Sequence, residues 1–330
     1  MILRISLVGS FNLADGYLGA ARALERMGHA VSFVPAHLYF AEFPDKHLHL
    51  IIKDLIEQSP DVVLWWRAET IDSLQLGYVR KKIAGKFIVY SWDDPHQWED
   101  REFVGSKCRY WDVAYSCCQD SLQEYLNFGA KNAIYCPPGF DPEIHYPEED
   151  DNYKCDVSIV CTNLYHGDSI TRYPHISRKD ILDAIVKYLP DIDLRIYGSS
   201  ELEKIYPKNY KGWIPFNESR KVFRNSKINL CTHIRDGQGY INERVCQITG
   251  SGGLLLCDGV SGPKTCFEYG SEFLIFSFIS PEDFSNQVKD ILDNYEKYEF
   301  IKERSLKKAL NKYTWDNWSN IILEGICLET

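Results

Sequence analysis

Short uninterrupted apolar runs, each followed by a turn and then by an amphipathic stretch, recur along the chain. The first run covers residues 5–8 and breaks at Gly9-Ser10. Tyr17, Leu18, Ala21, Leu24 and Met27 then fall at helical spacing, and Gly28-His29 leads into a second run at 31–34. An apolar run, a Gly-containing turn, a helix and another run make a βαβ unit. Further short buried strands are expected at 61–65, 87–90, 113–115 and 133–135. Runs that are continuous rather than alternating point to a parallel sheet covered on both faces, hence to the α/β class.

The same grammar restarts at 155–161. A helix is expected at 178–185, a strand at 194–197 ending on Gly198, a helix near 218–223 and a strand at 228–231. A helix around Arg244 leads into a buried run at 252–257, and helical patterns occupy 281–328. Between the two series, residues 137–151 are rich in Pro and carboxylates, which reads as a linker, or else as a long surface loop within one domain. The 330 residues are enough for two domains, each with its own core. We therefore expect a first domain at 1–140, a linker at 141–152, a second domain at 153–312 and a terminal segment at 313–330. Both domains are expected to be doubly wound, with the ligand site in the cleft between them.

Composition narrows the function. The 37 Lys and Arg against 47 Asp and Glu leave a net charge of −10, which argues against a duplex-DNA binder while leaving room for a local basic pocket. The eleven cysteines are odd in number and contain no Cys-x-x-Cys pair, only the adjacent Cys117-Cys118. That fits scattered thiols in a reducing compartment better than a disulfide framework or a zinc site. The opening eight residues are too short and alternating for a signal peptide, and no apolar run approaches the roughly 20 residues of a membrane span. A cytoplasmic protein is expected.

Two loops are placed to meet a substrate. Gly9 to Gly16 follows a strand and precedes a helix without the spacing of a dinucleotide fingerprint, so Gly9, Ser10, Asn12 and Tyr17 are candidates for touching an acceptor. Ser91-Trp-Asp-Asp-Pro-His96 follows a strand at its carboxyl end. There the side chains could bind acceptor hydroxyls or one could act as base; Asp94 is the better candidate base if the configuration inverts and His96 could serve either role, although Asp-Pro could equally cap the next helix. Arg67, after Trp65-Trp66, is a further polar group at such an edge. Trp66, Trp92, Trp98 and Trp213 offer flat faces for stacking, or belong to the core.

The most informative stretch runs from Thr232 to Asp258: a strand end, a Gly-rich loop, a helix and a Gly-Gly turn into a buried run. Backbone N–H groups from Gly239 through Tyr240 and Ile241 to Asn242 would lie at a helix N-terminus, where phosphate is favoured. Arg244, one turn in, could add charge-assisted bonds to a diphosphate, and Gln247 could reach a sugar or ribose hydroxyl. A plain N-cap with an exposed arginine is the alternative.

Ile241-Asn-Glu-Arg244-Val-Cys-Gln247, continuing through Gly252 to Asp258, resembles the donor-site signature of GT-B glycosyltransferases. It is most similar to the CgeB or spore-maturation-protein-like group of family 4-type enzymes. Gly28-His29-Ala-Val31, Pro138-Gly-Phe-Asp141, Tyr197-Gly198, Gly212-Trp213 and Thr314-Trp-Asp316 resemble that family's other landmarks, in order along nearly the whole chain. The resemblance implies two Rossmann-like domains facing across a cleft, with a last helix crossing back to the first. It implies transfer of a sugar from a UDP- or GDP-sugar to an acceptor hydroxyl, with retention. Gly198 and Trp213 would lie beside the base, and Arg178 and Lys179 would face the diphosphate, where a fixed cation stabilises the departing nucleotide.

No cofactor and no metal are expected. Asp191-Ile-Asp193 spells a metal-binding motif of another glycosyltransferase fold, but it precedes a strand and so lies at its amino end. The partners implied are a nucleotide-sugar donor and a carbohydrate, protein or other hydroxyl acceptor, a modified base included. The chain departs from the pattern where Gln247 replaces a ribose-binding Glu, and where the family's earlier carboxylate would fall on Gly239, with Asp236 and Glu243 close by. Two other readings stay open: a GT-B-fold binding protein without turnover, and a nucleotide-sugar epimerase.

Overall fold

The computed structural model describes residues 2–10, 16–91, 101–164, 177–233 and 236–327, and of 101–104 the backbone only. The chain divides into two compact units, Met1–Gly139 with Trp315–Thr330, and Phe140–Thr314.

The first unit holds six parallel strands: β1 (Arg4–Val8), β2 (Ala30–Val34), β3 (Val62–Trp66), β4 (Lys86–Ser91), β5 (Val113–Ser116) and β6 (Ala133–Tyr135). Their order is β2-β1-β3-β4-β5-β6, so the winding reverses between β1 and β3. Every residue of β3 is buried. Val63 and Trp65 join the core on one face, while Val62, Leu64 and Trp66 join the core on the other. This two-sided burial is why the runs carry no polar alternation.

Trp315 and Trp318 of the last helix, Trp315–Cys327, belong to the core that includes Trp66, with ring centroids 6.1 and 5.7 Å from it. The helix Tyr17–Arg26 accommodates them through Gly19: a Cβ there would meet Trp315 Cδ1 at 2.3 Å.

The second unit holds five parallel strands: β7 (Cys155–Cys161), β8 (Leu194–Gly198), β9 (Ser226–Cys231), β10 (Leu255–Asp258) and β11 (Leu274–Phe276). Their order is β11-β10-β9-β7-β8, with the reversal between β7 and β9. Strand β11 was not expected, although Leu274-Ile-Phe276 is an apolar run as long as β6. The run at 252–257 becomes a strand only from Leu255, because Gly252 turns at φ 68°.

Residues 141–152 are not a free linker but part of the second unit. Phe140 packs on Gly250, where a Cβ would come within 2.3 Å of its ring, and His145 is buried. The carboxylates that made the segment look solvated are paired: Glu148 with Arg220 at 2.6 Å and Glu149 with Arg224 at 2.7 Å.

All eleven cysteines are free thiols, ten of them buried. Among the described residues no helix is long and apolar enough to cross a membrane.

Candidate functional site

In a doubly wound sheet, ligands bind outside the carboxyl ends of strands where the winding reverses. In the second unit that point lies past Cys161 of β7 and Cys231 of β9, and the motif residues converge there. Ser177 caps the helix Arg178–Tyr188, its side chain accepting from Asp180 N in a capping box. This sets Arg178 at the first helical position. Its guanidinium donates from Nε to Thr232 Oγ1 at 3.2 Å and from Nη1 to Asn163 O and Oδ1, both at 3.0 Å.

Asn242 caps the helix Glu243–Gly250, accepting from Val245 N at 3.3 Å, and donates from Nδ2 to Thr232 O at 2.9 Å. Thr232 thus ties both helix starts to the end of β9. Arg244 stands in the first turn rather than one turn in, half-buried, and donates to Gln247 Oε1 at 3.0 Å. Burial pulls its guanidinium below the ordinary arginine range and nearby Arg178 pushes the same way, while Cys231 and Glu243 oppose them. Among the described residues neither Arg178 nor Arg244 is ion-paired with a carboxylate. Two adjacent cations held only by neutral partners form a pocket suited to a polyanion.

The other motif residues divide. Gly239 turns at φ 70°, and the Tyr240 N–H is spent on Gly237 O at 3.1 Å, so it is not offered to a phosphate. Tyr240 and Ile241 are buried and anchor the loop. Gln247 is buried and orients Arg244, and as an amide it leaves that charge uncompensated. Lys179 is ion-paired with Asp183 one turn along its own helix. Asp236 accepts from Ser261 N at 2.7 Å and from Ser261 Oγ, capping the helix Ser261–Cys266 rather than facing a sugar. Gly198 N donates to Gly212 O at 3.1 Å, bringing those two landmarks together, and Trp213 beside them is 64% exposed. Asp191-Ile-Asp193 lies before β8 as expected, with Asp193 paired to Arg195 at 2.8 Å.

One pair was missed. Asp258, at the end of β10, accepts from His233 N and Nδ1, both at 2.6 Å, and the buried His233 Nε2 has no hydrogen-bond partner among the described residues. The two residues are 25 positions apart, and only the sheet order brings them together.

In the first unit the reversal lies past Val8 and Trp66. Asp94, His96, Asn12, Trp92 and Trp98 lie outside the described residues. Gly9 is buried at this point, its N–H donating to Val34 O at 3.2 Å, and Ser10 follows half-buried. Tyr17 is not at the loop surface: it is buried among Phe33 and Trp66, centroids 5.8 and 5.2 Å away. Trp66 is likewise core, so neither ring is offered to a sugar.

Arg67 and Ala68 both take left-handed backbone, φ 68° and 57°, a strained arrangement for two consecutive non-glycine residues. The turn presents Glu69, whose carboxylate meets Arg67 Nε and His37 Nε2, each at 3.2 Å. Burial raises the Glu69 carboxyl, but His37, Arg67 and Lys107 together hold it below the usual range. Lys107 is buried and donates to Ala68 O at 2.6 Å. Arg67 was noticed in the sequence; His37, Glu69 and Lys107 carry no motif.

Among the described residues no group of three or more His, Cys, Asp or Glu gathers as metal ligands do.

Residues 178–324 match the family model described as glycosyl transferase-like. No curated protein matches the chain in sequence. In structure it is similar to Anabaena HepE in complex with UDP-glucose, at 11% identity over 98% of this chain and 99% of that one, TM-score 0.71. It is similar to the sucrose-phosphate synthase of Thermosynechococcus elongatus, at 10% identity over 99% of both chains, TM-score 0.71. A UDP-forming α,α-trehalose-phosphate synthase from Burkholderia xenovorans aligns over 100% of both chains, at 11% identity and TM-score 0.66. The fold is GT-B, and the resemblance to GT-B glycosyltransferases holds in the fold and in the family match over residues 178–324. The narrower likeness to the CgeB group rests on the motif alone.

Proposed function

We propose that this chain transfers a sugar from a nucleotide-diphosphate sugar, UDP- or GDP-linked, to an acceptor hydroxyl, with retention and without a metal. The observation that carries this reading is the pair Arg178 and Arg244, without carboxylate partners among the described residues at the strand reversal of the second unit. When the anomeric C–O bond breaks, negative charge collects on the departing diphosphate. Two guanidiniums fixed in advance stabilise that charge without reorganising. This is the work a divalent cation does in other enzymes, which supports a metal-free step. HepE and the trehalose-phosphate synthase, by their descriptions, bind or form UDP, which favours a uridine donor.

The acceptor falls to the first unit, at the strained turn of Arg67 and Ala68 beside Gly9. There the ionised Glu69 can accept from a hydroxyl and His37 orients it. Asp94 and His96 remain the candidates from the neighbouring loop.

The test is a panel of UDP- and GDP-sugars with product detection by mass spectrometry. Transfer to an acceptor, or slow hydrolysis without one, is expected. Conversion of the donor sugar with no acceptor present would make the chain an epimerase. Binding of donor without any turnover would make it a binding protein.

A further inference from the structure

The end of β9 in the second unit holds a contact that sheet pairing does not require. Cys257 of β10 pairs with Cys231 of β9, which sets Asp258 beside Thr232. The next residue engages both oxygens of the Asp258 carboxylate: Oδ2 accepts from His233 N and Oδ1 from His233 Nδ1, each at 2.6 Å. The His233 N–H and the Thr232 C=O belong to one planar peptide unit. Asp258 therefore grips that unit by its N–H, while Asn242 grips it by its oxygen, Nδ2 donating to Thr232 O at 2.9 Å. The Thr232 hydroxyl in turn receives Arg178 Nε at 3.2 Å.

The histidine is an expensive residue for the fold to keep here. It is fully enclosed, its ring centroid 6.2 Å from that of Tyr240, and its Nε2 has no hydrogen-bond partner among the described residues. A buried nitrogen left so costs stability that an apolar side chain would not. What the imidazole supplies is its Nδ1–H, which holds the Asp258 carboxylate against the 232–233 peptide.

We propose that Asp258 and His233 are positioning residues for the donor diphosphate, acting through Thr232 on Arg178, a role that rests on the assignment of the Arg178–Arg244 pocket to the donor. With the 232–233 peptide fixed from both sides, the Thr232 hydroxyl meets Arg178 in one orientation. The guanidinium is then in place before a diphosphate arrives. Without Asp258, the His233 N–H and Nδ1–H lose their acceptor in a buried setting, and the strand end must re-orient to satisfy them.

UDP is titrated calorimetrically into the full chain carrying Asp258→Ala, Arg178→Ala or both, each variant checked by its melt. Asp258→Ala is expected to weaken UDP about tenfold alone, and less than about twofold when Arg178 is already alanine, because the group it positions is then gone. Equal losses in the two backgrounds, or no loss with Arg178 present, overturn the proposal. UDP affinity unchanged in Arg178→Ala overturns the donor pocket itself, which separates the two failures. Should Asp258→Ala melt early, position 233 gives a second test. His233→Asn sets an amide N–H where Nδ1 stands and is expected to bind UDP within about twofold of the wild type, whereas His233→Leu, with no donor, weakens it about fivefold. Equal UDP affinity in the Asn and Leu variants overturns the role of Nδ1.

Discussion

The two edges of the β11-β10-β9-β7-β8 sheet are both rich in cations, and they treat them oppositely. At the amino edge Lys154, Arg195, Arg224 and Lys227 each meet a carboxylate, several of them exposed. Such pairs contribute little to stability, of the order of 0–1 kcal/mol each, and leave little charge for a ligand. At the carboxyl edge Arg178 and Arg244 meet a hydroxyl, a carbonyl and two amides, so their charge stays available. Counting basic residues would have ranked the amino edge higher. The partners, not the number of cations, distinguish the pocket proposed for the donor.

The largest effect is expected at the backbone that shapes the carboxyl edge. Gly198 sits at φ 152°, and a Cβ there would meet Cys161 O at 1.7 Å. Gly198→Ala should cost several kcal/mol and lower the melting temperature of the second unit sharply. Gly212→Ala, with open space around its φ of 95°, should cost about 1 kcal/mol. Similar melting points for the two would contradict the packing at β8.

His145 comes next. Burial, with Arg244 and Arg220 adding to it, drives its pKa down to about 3. The unfolded chain binds a proton there near pH 6.5 while the folded one does not, so stability is complete above that value. It declines as the pH falls toward 3, by up to about 1.4 kcal/mol per pH unit. Urea unfolding at pH 7 and 4.5 should show this loss, and His145→Gln should remove much of it. An identical slope in the variant would mean that other groups set the acid limit.

Smaller effects discriminate within the pocket. Gln247→Leu removes the oxygen that orients Arg244 and should raise the donor KM about tenfold with kcat less affected. Lys179→Ala removes the pair with Asp183 and should change donor kinetics less than about threefold. A large loss there would restore the lysine to the diphosphate.

Periodicity carried the fold well, because strands as fully buried as β3 and β5 must be almost wholly apolar, and ten of the eleven strands are visible as short apolar runs. β11 was missed, although its run is as long as that of β6. Segment 141–152 misled because Glu148 and Glu149 look solvated until Arg220 and Arg224 are seen beside them. In the site, Arg244 was legible because it follows a Gly-rich loop at a helix start, and Arg178 only through the family resemblance. Tyr17 was misread because loop proximity says nothing of side-chain direction. The His233–Asp258 and His37–Glu69 pairs join residues from different strands and loops, so strand order had to be known first.

The most direct test of the account is a calorimetric UDP titration of the wild type, Arg178→Ala, Arg244→Ala and the double variant, each checked for folding by its melt. Each guanidinium should contribute about 1.5–3 kcal/mol, so single variants should bind roughly 10- to 100-fold more weakly and the double variant beyond detection. UDP affinity unchanged in the double variant would contradict the assignment of this pocket to the donor.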